Sequence, residues 1–300
     1  MSLEVGIVGP PGAGKSTLFG ALTGATPEAY GAAHVGMAPI ADDRLEQVAR
    51  VAGSAKATPA SIRVVDLPGT AAAQLGSARA ADALVAVVKE EAELESLQLE
   101  LLVADRDHIE RRLEKVRRDA KSGDPKLKAE VEELERLLEH VDAGRSLGAY
   151  EHALPGELEP LTTKPLVPLV NGPGGIDLKL EAELAELPAE EAADFRDGQP
   201  SALEELIRRL REALDLITFF TANENEARAW TLRRGGTALD AAASVHTDMA
   251  RGFIRCEVIR WSDLVDAGSR AEASRRGLLR LEGKTYEVQD GDLLNVRFNV

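Results

Sequence analysis

Apolar positions along this chain follow three different rhythms. Over the first ninety residues short β-branched runs recur: Val5-Gly6-Ile7-Val8, Ile62-Arg63-Val64-Val65 and Leu84-Val85-Ala86-Val87-Val88. Near-continuous apolar runs of this length are what strands buried on both faces of a parallel sheet require. Leu166-Val167-Pro168-Leu169-Val170 reads as a fourth strand. Its proline has no N–H to give a ladder, which assigns it to an edge or a bulge. Strands alternating with helical stretches predict a doubly wound α/β domain.

After Lys89 the rhythm changes. Leu94, Leu97, Leu101, Ile109, Leu113 and Val116 follow three-and-four spacing; Ser122-Gly123-Asp124-Pro125 interrupts; Leu127, Val131, Leu134, Leu138 and Val141 resume it. The spacing predicts two long amphipathic helices in an antiparallel hairpin. The first arm is basic (Arg111, Arg112, Lys115, Arg117, Arg118, Lys121) and the second is Glu-rich. Solvated faces and cross-helix ion pairs are the expected use of those charges, a specific partner surface the alternative. A further acidic helical stretch runs from Lys179 to Leu214, broken at Asp197-Gly198-Gln199-Pro200. From Ile217 the third rhythm begins: Ile217 to Phe220, Phe253 to Ile259 and Leu293 to Phe298 read as strands of a small mixed sheet with its own core.

Charge sharpens this division. The chain of 300 residues carries a formal net charge of −15, yet from Leu216 onward acidic and basic residues balance at 12 each. All the acidity therefore lies in the first 215 residues, and an acidic bulk repels phosphate backbones. General nucleic-acid coating is excluded and no DNA partner is expected, although a local basic surface could still meet RNA. The one cysteine, Cys256, rules out a disulfide framework and fits a reducing compartment. No stretch approaches the roughly 20 apolar residues that cross a bilayer, and the start lacks a basic region followed by an apolar one. A soluble, cytoplasmic, monomeric protein without a membrane partner is expected.

The strongest chemical signal is Gly9-Pro10-Pro11-Gly12-Ala13-Gly14-Lys15-Ser16, which satisfies the P-loop pattern G-x-x-x-x-G-K-[ST]. Val5 to Val8 precedes it as a strand and Thr17 to Leu22 follows as a helix, so the loop opens onto a helix N-terminus whose N–H groups can hold phosphate oxygens. Candidate nucleotide-binding residues are Gly9, Gly12, Ala13, Gly14, Lys15, Ser16 and Thr17. Lys15 would place a cation at the β- and γ-phosphates, and the Ser16 hydroxyl would ligate Mg²⁺. Asp66-Leu67-Pro68-Gly69 ends the strand Ile62 to Val65, where an aspartate points into the ligand crevice of such a sheet. Asp66 is the second candidate metal ligand, and the Gly69 N–H a γ-phosphate sensor.

These segments together resemble the YchF / Obg-like ATPase family of translation-factor-related P-loop proteins. The resemblance also rests on Val35 to Leu45, the helical hairpin, Leu161-Thr162-Thr163-Lys164-Pro165, Phe219-Phe220-Thr221-Ala222, Arg228-Ala229-Trp230-Thr231, His246-Thr247-Asp248, Gly252 to Arg255, Leu281 to Lys284, Gln289 to Asp292 and the final Arg297-Phe298-Asn299-Val300. It implies a Ras-like nucleotide-binding domain over 1–88 and 161–215, a hairpin insertion over 89–160 and a TGS-like β-grasp domain over 216–300. It further implies Mg²⁺ with ATP or GTP as cofactor and a ribosome as partner. In the family the Asn-Lys-x-Asp base-reading motif is altered to Asn-x-x-Glu.

The chain departs from that pattern in places that matter. Tyr30-Gly31-Ala32-Ala33-His34 offers no Thr or Ser where the family's switch threonine would bind Mg²⁺. Only Thr70 to Ser77 stands between Gly69 and the next helix, where the family has a long glycine-rich switch. In Asn171-Gly172-Pro173-Gly174, Asn171 and Gly172 remain candidate base-contacting residues, but Gly174 replaces the carboxylate, so base discrimination should be poor. No room remains between Gly175 and Lys179 for the helix and strand that usually intervene. No catalytic residue is assigned: the family lacks a water-orienting glutamine, and Gln74 stands five residues past Gly69.

Two readings follow. One is a slow NTP-hydrolysing switch in which γ-phosphate state governs hairpin and C-terminal domain. The other is a catalytically degenerate scaffold that engages a ribosome, RNA or protein partner through the hairpin and TGS-like domain. Elsewhere the simpler expectations hold: His246 as a hydrogen-bonded turn residue rather than a base, Cys256 as a packed thiol rather than a redox sensor, and Arg270, Arg275, Arg276 and Arg280 as a solvated face with RNA contact the alternative. No His/Cys spacing supports a structural zinc.

Overall fold

The computed structural model describes residues 3–25, 34–67, 71–196 and 199–299. Residues 30–33 and 68–70, on which the switch expectations fall, lie outside these. The elements in chain order are β1 (Glu4–Val8), α1 (Lys15–Thr23), β2 (His34–Ile40), α2 (Asp43–Ala52), β3 (Ala57–Thr58), β4 (Ala60–Asp66), α3 (Ala71–Ala78), β5 (Ala83–Val88), α4 (Glu91–Asp119), α5 (Pro125–Asp142) and β6 (Leu166–Val170). There follow α6 (Leu178–Ala185), α7 (Ala189–Phe195), α8 (Ala202–Ala213), β7 (Leu216–Ala222), β8 (Ala227–Arg233), α9 (Ala238–Val245), α10 (Thr247–Arg251), β9 (Phe253–Arg260), α11 (Trp261–Ala267), α12 (Arg270–Arg275), β10 (Arg280–Glu282) and β11 (Asp292–Phe298). The chain divides into two compact units, Glu4–Gly36 with Val64–Leu203, and Met1–Leu3 with Met37–Arg63 and Glu204–Val300.

The first sheet has strand order β2-β4-β1-β5-β6. β5 runs parallel to both β1 (Val5 opposite Ala83) and β6 (Leu84 opposite Leu166), and every residue of β5 is buried, as its unbroken apolar run requires. β6 lies at the edge, where the N–H that Pro168 lacks would have had no strand to meet. β2 is a strand the apolar pattern did not announce, because Gly36 and Pro39 interrupt it. Gly36 is explained by crowding: a Cβ there would lie 2.6 Å from Thr23 Cγ2.

The hairpin forms as its spacing requires. Ile109, Leu113 and Val116 of α4 interlock with Leu134, Leu137 and Val141 of α5, closed by Leu147 and Leu158. Gly123 turns the chain with φ +88, and Asp124 caps α5 through the Lys126 N–H, with Pro125 in the first turn. Arg112 pairs with Glu130, Arg117 with Glu135 and Arg106 with Asp142, so the charges of the two arms do meet across the hairpin. At its root, Leu97 and Leu101 join Val8, Val65, Leu67, Leu75, Leu84 and Leu161 in one core. The segment read as a short run before the next helix is itself helical over Ala71–Ala78; its alanines favour that state more strongly than the spacing argument allowed.

The second unit holds a six-stranded sheet in the order β10-β9-β11-β7-β8-β3. Its central pair β7/β11 is parallel and is flanked by the antiparallel pairs β7/β8 and β9/β11. Strands β7 and β11 side by side in the middle, with α9 packed over Phe219, Phe253, Val258 and Leu294, make a β-grasp arrangement. The short β3 adds a strand beside β8.

Candidate functional site

The site is assembled at the carboxyl ends of β1, β4, β5 and β6, beginning where β1 stops. Gly9 takes φ +144, and a Cβ on it would lie 2.1 Å from the Val87 carbonyl oxygen, so only glycine lets the loop leave the strand here. Gly12 and Gly14 also have positive φ, +75 and +106, and Ala13 between them is fully buried and anchors the loop. Gly14 is the N-cap of α1 and supplies no side chain to the first turn, so the helix-start N–H groups are free of any side-chain cap. That is the arrangement an anion needs, with backbone donors aligned and the positive end of the helix dipole behind them.

The polar side chains converge on this loop. Lys15 Nζ folds back to donate to the carbonyl oxygens of Gly9 (2.8 Å) and Pro10 (2.9 Å). Burial pushes its ammonium below the ordinary lysine value, against the pull of Asp66. Ser16 Oγ donates to Asp66 Oδ2 at 2.7 Å, and Asp66 is only 6% exposed. Two adjacent oxygen donors, one anionic, suit Mg²⁺, which is held by one or two protein oxygens while phosphates and waters complete its shell. Among the described residues no group of three or more His, Cys, Asp or Glu could hold a metal by itself. Thr17, next in the helix, is exposed; Gly69 falls outside the described residues.

Asn171 and Gly172 lie beside the same loop. Asn171 Nδ2 donates to the Ala13 carbonyl at 2.8 Å, its Oδ1 accepts from the Leu178 N–H at 3.2 Å, and its own N–H binds the Val88 carbonyl at 2.7 Å. The amide thus ties the P-loop to the end of β5 and to the start of α6. Gly172 packs so closely that a Cβ would lie 3.0 Å from the Lys89 carbonyl. Gly174, in the place of the base-reading carboxylate, turns with φ +83 and has open space where a Cβ would be.

Comparison with known proteins agrees with this geometry. Residues 4–129 match a family model described as "50S ribosome-binding GTPase". Residues 216–299 match the YchF-GTPase C-terminal model, described as "Protein of unknown function (DUF933)". Against the ribosome-binding ATPase YchF of Bacillus subtilis the chain is 32% identical, with 100% of both chains covered. This chain belongs to the YchF / Obg-like ATPase family. YchF of Haemophilus ducreyi is 34% identical over 100% of both chains, and the Obg-like ATPase 1 of Rattus norvegicus 30% over 99% of this chain and 93% of its own. A solved structure titled "Structure of the Schizosaccharomyces pombe YchF GTPase" matches with a TM-score of 0.82 at 25% identity, covering 99% of this chain and 98% of the other. The YchF fold therefore runs through nearly the whole chain.

Within that fold the remaining sequence candidates resolve as follows. His246 Nδ1 accepts from the Asp248 N–H at 3.1 Å at the junction of α9 and α10, a turn role. Cys256 is buried in β9, and burial pushes its thiol up to about 12. Each of the four arginines has an acidic neighbour: Arg270 pairs with Glu257, Arg275 and Arg276 share Glu272, and Arg280 lies near Glu282 and Asp292.

One structurally decisive residue went unread. Asp105 is 1% exposed on the apolar face of α4, where it accepts from the N–H groups of Leu161 and Thr162 (both 2.9 Å), the Thr162 hydroxyl (2.8 Å) and Arg79 Nη1 (2.7 Å). The signal was present: Asp105 sits four residues from both Leu101 and Ile109, a charge inside an otherwise apolar stripe.

Proposed function

We propose that this chain binds a nucleoside triphosphate with Mg²⁺ at the P-loop, hydrolyses it slowly, and acts on the ribosome as a nucleotide-dependent factor of the cytoplasm. The observation that carries the reading is the cluster of Lys15, Ser16 and Asp66 at the uncapped start of α1. Lys15 exchanges the Gly9 and Pro10 carbonyls for phosphate oxygens, and Ser16 and Asp66 hold the cation. Mg²⁺ when bound neutralises charge on the phosphates. Ribosome association is supported by the relatives named as ribosome-binding ATPases. In the same reading, residues 1–88 with 161–215 form the nucleotide-binding domain, 89–160 an inserted hairpin, and 216–300 the TGS-like domain.

Both ATP and GTP are accepted. Gly174 leaves no carboxylate to read the base edge, and a site that lacks a buried polar reader cannot reject the wrong base strongly. Turnover is slow because positioning and charge neutralisation carry phosphoryl transfer, and residues 30–34 hold no Thr or Ser to serve as the switch ligand. The test is calorimetric titration of the whole chain with ATP, GTP and ADP in Mg²⁺, with Lys15→Ala alongside, then multiple-turnover phosphate release and co-sedimentation with ribosomes. Binding that depends on Lys15, with similar ATP and GTP affinity, is expected. Absence of nucleotide binding would sink the proposal.

A further inference from the structure

A second lysine reaches the P-loop from the neighbouring strand. Lys89 directly follows β5, and its Nζ lies 3.9 Å from the point a Cβ on Gly12 would occupy. Its side chain is exposed, and among the described residues its ammonium has neither a hydrogen bond nor an ion pair. Lys15, by contrast, already has both its contacts inside the loop.

The backbone around Lys89 is fixed. Its N–H donates to Glu93 Oε2 at 2.7 Å, which holds the strand end against the first turn of α4. Its carbonyl lies 3.0 Å from where a Cβ on Gly172 would sit. The end of β5 therefore occupies the space that a side chain at residue 172 would need, while the Lys89 ammonium stands beside Gly12 of the P-loop.

The local charge favours such a cation. Glu90, Glu91 and Glu93 follow at once, in a chain whose net charge is −15. A like-charge field of that kind opposes the binding of a polyphosphate, and an ammonium beside the loop offsets it.

We propose that Lys89 is a nucleotide-binding residue, whose ammonium takes a phosphate oxygen of the bound nucleotide above Gly12. This rests on the reading of the P-loop as a nucleoside triphosphate site. Because Lys89 contacts phosphate and not base, its contribution is the same for ATP and GTP and absent for adenosine.

The experiment is calorimetric titration of the whole chain with ATP, GTP and adenosine, at low and high salt, for the wild type, Lys89→Ala, Lys89→Arg and Lys15→Ala. Far-UV circular dichroism of each variant checks that the fold is kept. Lys89→Ala is expected to bind ATP and GTP about tenfold more weakly, the worth of one charge-assisted hydrogen bond. Its affinity should also fall less with added salt, and Lys89→Arg should restore most of the loss. The proposal is overturned if Lys89→Ala binds ATP within about twofold of the wild type, if ATP and GTP are affected unequally, or if arginine does not rescue. If the wild type binds no ATP, or Lys15→Ala binds as the wild type does, the nucleotide-site reading itself has failed, a result distinct from loss of the Lys89 effect alone.

Discussion

Removing the Asp105 carboxylate should be the most damaging single change at the root of the hairpin. Asp105→Ala strips Arg79, whose side chain is 11% exposed, of its carboxylate partner, and leaves the Leu161 and Thr162 N–H groups and the Thr162 hydroxyl without an acceptor. Breaking a buried ion pair by deleting one member costs about 3–5 kcal/mol, because the remaining charge stays desolvated. Arg79 keeps two backbone acceptors, the Ala104 and Glu159 carbonyls, which offset part of this. The orphaned Leu161 N–H adds about 1–3 kcal/mol on the other side. The expected loss is therefore about 4 kcal/mol. Asp105→Asn, which keeps one acceptor oxygen but no charge, should lose roughly half as much. The exposed pair Arg117–Glu135 serves as control: Arg117→Gln should cost less than about 1 kcal/mol. The assay is urea denaturation followed by far-UV circular dichroism, with amide hydrogen exchange at Leu161 and Thr162 as the local readout. A loss below about 1 kcal/mol for Asp105→Ala, or unchanged exchange at those two amides, would refute the reasoning.

Two further outcomes follow from the geometry. Gly9→Ala drives a Cβ to 2.1 Å from the Val87 carbonyl at φ +144, whereas Gly53, also at positive φ, has open space around it. Gly9→Ala should therefore cost more than about 3 kcal/mol and abolish nucleotide binding, and Gly53→Ala about 1 kcal/mol with binding intact, as read by urea denaturation and calorimetry. In the second unit, burial raises both the Cys256 thiol and the Tyr286 phenol, the latter also through its bond to Asp292, each to about 12 from ordinary values of 9.0 and 10.0. The unfolded chain then loses these protons first, so this contribution to stability is full below about pH 9 and is lost as pH rises towards 12. Urea midpoints read by the fluorescence of Trp230 and Trp261 should fall between pH 8 and 11; a flat profile would contradict the burial argument.

The sequence made some of this site legible and hid the rest for a physical reason. Gly9 to Ser16 could be read directly because consecutive residues build one loop, and chemistry fixes both their types and their spacing. Asp66 was readable because a strand of known direction ends there. Asn171 was recognisable, but not its bond to Ala13, since nothing in spacing shows that two loops 158 residues apart touch. Lys89 and Asp105 were passed over for the same reason. Their roles are defined by Gly12 and Gly172 in one case, and by Arg79, Leu161 and Thr162 in the other. β2 escaped because Gly36 and Pro39, local signals against a strand, are tolerated once the fold supplies a neighbour.

In the proposed reading the end of β5 makes binding and turnover separable. The Val87 carbonyl excludes any side chain at Gly9, the Val88 carbonyl accepts from Asn171, and the Lys89 carbonyl backs Gly172. Asn171 then returns to the P-loop through the Ala13 carbonyl, and its Nδ2 would stand 2.6 Å from a Cβ on Gly14. The phosphate loop is thus clamped between two strand ends, and none of the clamping atoms belongs to a switch segment. The absence of Thr and Ser from residues 30–34 would cost turnover a switch ligand, but it takes nothing from this clamp. On the proposed reading, losing one such charge-stabilising contact should lower kcat by about 10²- to 10³-fold, while Kd should stay where the clamped loop, Lys15 and Lys89 set it.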